Sequence, residues 1–129
     1  MNVLDSSAWL EIFAGGPNAR VFAEVVEAGD QLVVPVISIF EVFKRVLRES
    51  DETKALNVVA SMRQGRVVDL NSTTALRAAK LSLEHSLPMA DALILATAEE
   101  HRATLWTQDS DFDGLENVRL FAKADGSAG

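Results

Sequence analysis

Two short apolar runs that do not alternate with polar residues constrain the fold of this chain most strongly. They are Val3–Leu4 in "MNVLD" (residues 1–5) and Val33–Val34 in "QLVVP" (residues 31–35). A strand with one face in water alternates apolar and polar residues, whereas a strand covered on both faces is continuously apolar. Helix-like segments separate the strand-like ones, which favours a parallel sheet with helices on both faces. We therefore predict an α/β fold, a three-layer α/β/α sandwich around a mostly parallel sheet of four to five strands.

The other elements follow from hydrophobic periodicity and from glycines that end helices. The predicted strands span residues 1–5, 31–35, 66–70, 103–107 and 118–121. The predicted helices span residues 7–14, 18–29, 38–49, 51–65, 72–85 and 89–101. A chain of 129 residues has the length of one domain. We place this domain at residues 1–122 and expect residues 123–129, which are small and polar, to form a flexible tail.

The composition excludes several kinds of site and location. Cysteine is absent, so disulfides and thiolate metal sites are excluded. No apolar run reaches the roughly 18 residues of a membrane span, and the amino terminus lacks the basic segment of a secretory signal. These features predict a cytoplasmic protein without membrane association. The net charge of −7 argues against a nucleic-acid partner, unless a metal site concentrates the acids.

Acidic residues stand at the ends of the predicted strands and at the starts of the following helices. Asp5 ends the first strand, Glu41 lies in the first turns of the third helix, and Asp91 lies in the first turn of the last helix. Asp109 and Asp111 follow the fourth strand. A parallel sheet brings strand ends and helix starts to one edge, where ligands bind. We therefore expect these carboxylates to converge.

Converging carboxylates repel one another and raise each other's pKa, and a divalent cation removes that repulsion. Oxygen ligands without nearby histidine or cysteine favour Mg²⁺ or Mn²⁺ over Zn²⁺. The acids thus predict a Mg²⁺ site in which Mn²⁺ can substitute. Asp69 also ends a strand, but it precedes the cap region "NSTT" and is left out of this site.

Each acid also has a purely structural interpretation. Glu41 lies three residues after Ser38, so "SIFE" matches a capping box. Asp5 can cap the first helix, Asp91 can complement a helix dipole, and Asp109 suits a turn. Taken singly, each acid keeps both interpretations. The coincidence of four acids at one sheet edge favours a common site.

Three segments carry these acids: "NVLDSSAWLEIF", "ISIFEVFKRVL" and "LPMADALILATAEEHRATLWTQDSDF". They resemble the acidic motifs of the PIN-domain family, and within it the VapC-type toxins of VapBC toxin–antitoxin systems. The resemblance covers residues 2–121, and its most specific stretches are "ADALILATA" and "TQDSDF". It implies a Mg²⁺-dependent endoribonuclease that hydrolyses RNA to a 5′-phosphate and a 3′-hydroxyl. It also implies a cognate VapB-like antitoxin as inhibitor and a homodimer.

The resemblance further implies which residues form the site. The catalytic acids of the family carry over to Asp5, Glu41, Asp91 and Asp109. The implied metal ligands are Asp5, Asp91, Asp109 and Asp111, where Asp111 is a second candidate for the last and most variable position.

Two hydroxyl side chains accompany these acids. Ser6 follows the first aspartate, and Thr107 opens the last motif. The resemblance implies that each orients a ligand or water. The alternative for both is a simple backbone cap.

Basic and aromatic residues mark two further surfaces. The hairpin after the second strand carries Lys44, Arg45, Arg48, Lys54, Arg63 and Arg66. This cluster either lines an RNA groove or meets an acidic partner, or it is a solvated helix face. The first and third helices carry Trp9, Phe13, Phe40 and Phe43. Such residues usually belong to a core, but in VapC-like proteins this region receives the antitoxin or forms the homodimer.

Other functions fit this sequence less well. A phosphoacceptor domain requires an acid pair after the first strand, and a haloacid dehalogenase-type phosphatase requires Asp-x-Asp, whereas "LDSS" supplies one acid followed by Ser6 and Ser7. A nuclease that acts on DNA is an enzymatic alternative. A non-catalytic PIN-like module that binds protein or RNA is another, although the intact acids argue against it.

Overall fold

The structure, a computed structural model, describes residues 1–123. Within these residues the strands are β1 (Asn2–Leu4), β2 (Val33–Pro35), β3 (Arg66–Val68), β4 (Thr104–Thr107) and β5 (Val118–Leu120). The helices are α1 (Ser6–Ala14), α2 (Ala19–Glu27), α3 (Val36–Glu49), α4 (Glu52–Met62), α5 (Ser72–His85) and α6 (Met89–Glu100). Short 3₁₀ turns follow α2 and β4, at Gly29–Gln31 and Ser110–Phe112. The predicted tail lies outside the described residues except for Lys123.

All strand pairs in this part of the chain are parallel. β1 pairs with β4 and β4 pairs with β5, while β2 pairs with β3. A bridge between Asn2 and Leu32 joins the two groups, so the strand order is β3-β2-β1-β4-β5. The predicted parallel α/β sheet is therefore confirmed, and β1 lies at its centre.

Successive residues of each central strand point into two separate cores. Val3, Val33 and Leu105 belong to the core formed with α5 and α6. Leu4, Val34 and Trp106 belong to the core formed with α1, α2, α3 and α4. Burying a Val or Leu side chain stabilises the fold by roughly 1.5–3 kcal/mol, so neither face of β1 can be left uncovered. The three-layer prediction is confirmed for this reason.

Most predicted boundaries differ from the observed ones by one to three residues, and two differences have a clear cause. α3 begins at Val36 rather than residue 38 because Pro35, with φ −63° and ψ 136°, is the extended residue directly before the helix. α4 ends at Met62 rather than residue 65, and the turn that follows packs Gly65 against Leu32 and Val34. A Cβ on Gly65 would lie 2.9 Å from Val34 Cγ2, so this close approach to the sheet needs glycine.

Candidate metal centre

Four of the predicted acids line one cleft at the carboxyl edge of the sheet. The cleft has a volume of about 350 Å³. Its acids are Asp5, Glu41, Asp91 and Asp109. Asp5 follows β1 and Asp109 follows β4, and these two strands are parallel neighbours. We call this space the acid cleft.

Asp5 is held rigidly by three hydrogen bonds. Its Oδ1 accepts from Ser7 Oγ at 2.7 Å and from Ala8 N at 3.0 Å. Its Oδ2 accepts from Thr107 Oγ1 at 2.6 Å. The bond from Ala8 N makes Asp5 the N-cap of α1, so the capping interpretation is confirmed. A carboxylate oxygen has two acceptor sites, so Oδ2 keeps one for a further partner.

Burial has the largest effect on the pKa of Asp5. The residue is 2% exposed. Burial raises its pKa from 3.8 to about 6, against the lowering effect of the hydrogen bonds from Thr107, Ser7 and Ala8, while the charge of Asp109 raises it further. Burial therefore disfavours the ionised form of Asp5, and a nearby positive charge would stabilise it.

The pKa of Asp91 is raised more than that of Asp5. Burial is the largest cause that raises its pKa to about 7, followed by the negative charges of Asp109, Asp5 and Glu41. When Asp91 is protonated it forms a hydrogen bond with Asp109, which stabilises the neutral form. Acids perturbed in this way inside a cleft are typical of functional sites.

The loop after β4 adds two carboxylates. Single oxygens of Asp91, Asp109 and Asp111 all lie within 4.8 Å of one another. Asp109 Oδ1 accepts from Asp111 N at 2.9 Å and so caps the Ser110–Phe112 turn, in agreement with the turn interpretation. The buried ring of Phe112 fixes this turn to the core. The donors are all carboxylate oxygens, which fit a hard divalent cation.

Glu41 reaches the acid cleft from α3. Its Oε1 accepts from Ser6 Oγ at 2.6 Å, across 35 positions of sequence. The capping-box interpretation is wrong, because α3 begins at Val36 and has no side-chain cap, so Ser38 lies inside the helix. Ser6, expected to orient a ligand or water, donates its hydroxyl to Glu41 and holds the position of that carboxylate.

Ser7 is a site residue that the sequence did not reveal. Besides its bond to Asp5, its Oγ accepts from Gln108 N at 3.0 Å and lies 3.4 Å from Thr107 Oγ1. Thr107 Oγ1 in turn accepts from Asp109 N at 2.9 Å. Ser7 and Thr107 therefore join the end of β1 to the loop that carries Asp109. The only sequence signal was the second serine of "DSS", which a helix start explains equally well.

Besides Glu41, α3 contributes aromatic and basic side chains to the acid cleft. It presents Phe40, Lys44, Arg45 and Arg48 to the acid cleft. Phe40 is 60% exposed, and Lys44 Nζ lies 5.6 Å from the centre of its ring. Part of the predicted basic cluster therefore lies beside the acids.

A larger space adjoins the acid cleft, and we call it the apolar groove. Its volume is about 1220 Å³, and its apolar lining includes Leu10, Phe13, Val46, Val58 and Leu120. The two spaces share Ser7, Leu10, Arg45 and Asp109. The predicted aromatic surface is divided, because Trp9 is buried in the core, Phe13 lines the apolar groove and Phe40 lines the acid cleft.

None of the helices within residues 1–123 has both the length and the apolarity needed to cross a membrane.

Comparison with known proteins identifies the fold. The PIN-domain family model matches residues 3–117. The chain is similar to one from a toxin–antitoxin complex of Klebsiella pneumoniae, with a TM-score of 0.80, 25% identity, and coverage of 96% of this chain and 100% of that one.

Two further solved structures share the fold. VapBC2 of Rickettsia felis, bound to a promoter DNA fragment, has a TM-score of 0.72 and 15% identity over 95% of this chain and 98% of that one. VapC20 of Mycobacterium tuberculosis, a toxin that cleaves the sarcin–ricin loop, has a TM-score of 0.73 and 14% identity over 90% and 95%. The search of curated proteins gave no significant match.

Proposed function

The chain belongs to the PIN-domain family, and from that premise we propose that it is a Mg²⁺-dependent endoribonuclease toxin of the VapC type. Nuclease activity with a divalent metal is general in this family. The observation that carries the proposal is the acid cleft, where four carboxylates from four separate elements meet and burial and mutual repulsion raise the pKa of Asp91 to about 7. Such an arrangement is unfavourable unless a cation binds it.

We assign the metal ligands to Asp5, Asp91 and Asp109, with Asp111 as a further ligand. Their all-oxygen donor set suits Mg²⁺, for which Mn²⁺ can substitute. When bound, such an ion supplies a water of lowered pKa and neutralises charge on the phosphate. Ser7 and Thr107 hold Asp5 in one orientation, so this ligand needs no reordering when the ion binds.

Glu41 is the cleft acid outside this ligand set, and we assign it the proton transfer. Ser6 Oγ donates a hydrogen bond to Glu41 Oε1. Glu41 Oε2 is thus left to accept the proton of the attacking water. The water oxygen bonds to phosphorus and the bond from phosphorus to the 3′ oxygen breaks. The products are a 5′-phosphate and a 3′-hydroxyl, and the leaving oxygen takes its proton from solvent.

A cognate antitoxin is the proposed inhibitor. Solved structures similar to this chain include toxin–antitoxin complexes. The apolar groove is large enough for a helix about 10 Å wide and shares Arg45 and Asp109 with the acid cleft. A partner segment in the groove would therefore also obstruct the cleft. We further propose that residues 1–122 form the single nuclease domain, that the protein is a homodimer, and that it acts on RNA in the cytoplasm.

The test is a cleavage assay with purified protein. Total tRNA, rRNA, single-stranded DNA and duplex DNA are incubated with Mg²⁺, with Mn²⁺ or with EDTA, and the cut ends are mapped. Two variants run in parallel: Asp91→Asn, which removes a cleft acid, and Asp69→Asn, which removes an exposed strand-end acid outside the cleft.

Discrete RNA cuts that need metal, persist in Asp69→Asn and disappear in Asp91→Asn support the proposal. If the protein cuts DNA in preference to RNA, DNA replaces RNA as the proposed substrate. Equal cutting by both variants indicates a contaminating nuclease. If the wild-type protein cuts no substrate and calorimetry detects no binding of Mg²⁺ or Mn²⁺, the chain is a non-catalytic binding module.

A further inference from the structure

Phe40 is the most exposed aromatic side chain among residues 1–123. It is 60% exposed, compared with 37% for Phe13 and 1% for Trp9. It follows Ile39, which packs against the core, and precedes Glu41, which bonds to Ser6. The residues before and after Phe40 are therefore held in place, and the Phe40 ring lines the acid cleft in a defined position.

Cationic side chains lie on the same face of α3 as this ring. Phe40, Lys44 and Arg48 are spaced by four residues on α3 and form one stripe along the helix. Lys44 Nζ lies 5.6 Å from the ring centre. Among residues 1–123, neither Lys44 nor Arg48 forms an ion pair, whereas Arg45 pairs with Glu49. The stripe thus combines an aromatic ring that is 60% exposed with two cationic side chains that form no ion pair within residues 1–123.

This combination matches the chemistry of a nucleic-acid strand. Bases stack on aromatic side chains in a way that tolerates any sequence, and phosphates bind Lys and Arg. Only an unpaired base can do this, because the bases of a duplex are already stacked on each other. A ring beside the catalytic acids therefore discriminates between single strands and duplexes.

The dimensions of the acid cleft favour RNA over a protein partner as the occupant of this stripe. About 350 Å³ is the size of a small-molecule site. A partner helix, roughly 10–12 Å in diameter, suits the neighbouring apolar groove of about 1220 Å³.

We propose that Phe40 is a stacking platform for one unpaired base next to the scissile phosphate, and that Lys44 and Arg48 bind the flanking phosphates. The proposal rests on the proposed nuclease function, because it places the base beside the catalytic acids.

Binding without cleavage tests this proposal directly. All variants are made in the Asp91→Asn background, and fluorescence anisotropy follows a short oligoadenylate, a short oligouridylate and the duplex formed from both. We expect Phe40→Ala to weaken binding of the single strands roughly 5- to 150-fold, the range for losing one base–aromatic stack. Binding of the duplex is expected to stay unchanged.

Further variants separate stacking from simple apolar contact. Phe40→Trp keeps an aromatic face, so it is expected to retain single-strand affinity, and its added tryptophan fluorescence to change when a single strand binds. Phe40→Leu keeps an apolar side chain without a π-face and is expected to behave like Phe40→Ala. The control is Leu83→Ala, which removes an exposed apolar side chain of α5 outside both spaces and is expected to leave RNA affinity as in the parent.

Three outcomes would overturn the proposal. Phe40→Ala could bind single strands as the parent does, Phe40→Leu could bind as well as Phe40→Trp, or single strands and duplex could be weakened equally. In the first case, an altered association state in sedimentation would assign Phe40 to a protein contact. Failure of the nuclease proposal is recognised separately, because wild-type protein would then cleave no RNA even if its Phe40-dependent binding followed the expected pattern.

Discussion

The acid cleft and the apolar groove are neighbours that share four residues, but they are built from different chemistry. The acid cleft is small, and its acids are held by hydroxyl side chains such as Ser7 and Thr107. The apolar groove is more than three times larger, and aliphatic side chains supply much of its lining. One space concentrates negative charge, whereas the other leaves apolar surface uncovered.

This difference separates two roles. The acid cleft is suited to a cation and a reacting phosphate, because fixed charges need no reorganisation during the reaction. The apolar groove is suited to a partner chain, because exposed apolar surface gains free energy when it is covered. Changes in the cleft should therefore alter catalysis, and changes in the groove should alter partner binding alone.

The largest effect is expected for the loop acids. Asp109 lines the acid cleft and raises the pKa of both Asp5 and Asp91, while Asp111 is exposed. We expect Asp109→Asn to lower the rate of RNA cleavage by about 100-fold or more, and Asp111→Asn by about 10-fold or less. Asp113→Asn, in the same loop, is the control in the rate measurements. A larger loss from Asp111→Asn would make Asp111 the main loop ligand.

The next effect concerns the support of Asp5. Thr107→Val removes the donor to Asp5 Oδ2 and the acceptor for Asp109 N. We expect cleavage to fall by about 10- to 100-fold and the free energy of unfolding to fall by about 1–3 kcal/mol. Urea unfolding and cleavage rates measure both quantities, with the same substitution at exposed Thr73 as the control. Thr107→Ser keeps the hydroxyl and is expected to restore both the cleavage rate and the stability. A Thr107→Val variant that cleaves RNA as fast as wild type would contradict the proposed support of Asp5 by Thr107.

A smaller effect concerns pH and stability in the metal-free protein. Asp5 has a pKa of about 6 when folded and an ordinary value of 3.8, and Asp91 has a pKa of about 7. Because the folded state holds these protons more tightly, the stability they contribute is complete below pH 3.8 and is lost as the pH rises through 6 and 7. In EDTA we expect stability to fall by on the order of 1 kcal/mol through Asp5 between about pH 5 and pH 8.

Urea unfolding at both pH values checks this expectation. Asp91→Asn, which lacks one of the two protons, should show a weaker dependence. Added Mg²⁺ should stabilise the wild-type protein more at the higher pH, since the carboxylates must be ionised to bind it. Stability of the metal-free protein that increases over this interval would contradict the assigned pKa shifts.

The smallest effect on catalysis is expected in the apolar groove. Phe13→Glu places a charge in the groove, so co-purification with the proposed antitoxin should be lost. RNA cleavage should stay within about twofold of wild type, as is usual for a surface substitution. Leu83→Glu, on the exposed face of α5, is the control for both assays. A large loss of cleavage in Phe13→Glu would show that the two spaces do not act separately.

The sequence by itself determined the layers of the fold and the edge where the acids lie. Continuously apolar strands such as Val3–Leu4 must be buried on both faces of the sheet, and strands that alternate with helices pair in parallel. Parallel strands end at one edge, so acids at the ends of strands lie along that edge, but packing decides which of them share a cleft, since Asp69 after β3 stays outside it. These conclusions depend only on local patterns, which explains why they could be read without a structure.

The tertiary structure alone decided which side chains meet in the site. Ser6 reaches Glu41 across 35 positions because α1 packs against α3. Ser7 reaches Gln108 across 101 positions because β1 pairs with β4 in a register that the sequence does not display. Local pattern favoured a capping box for Glu41, and the position of Pro35 overturned it. The sequence also could not predict that Phe40 is exposed and Trp9 is buried, because both residues lie on amphipathic helices. Whether such a ring is covered depends on the neighbours that packing brings to it, and those neighbours are distant in the chain.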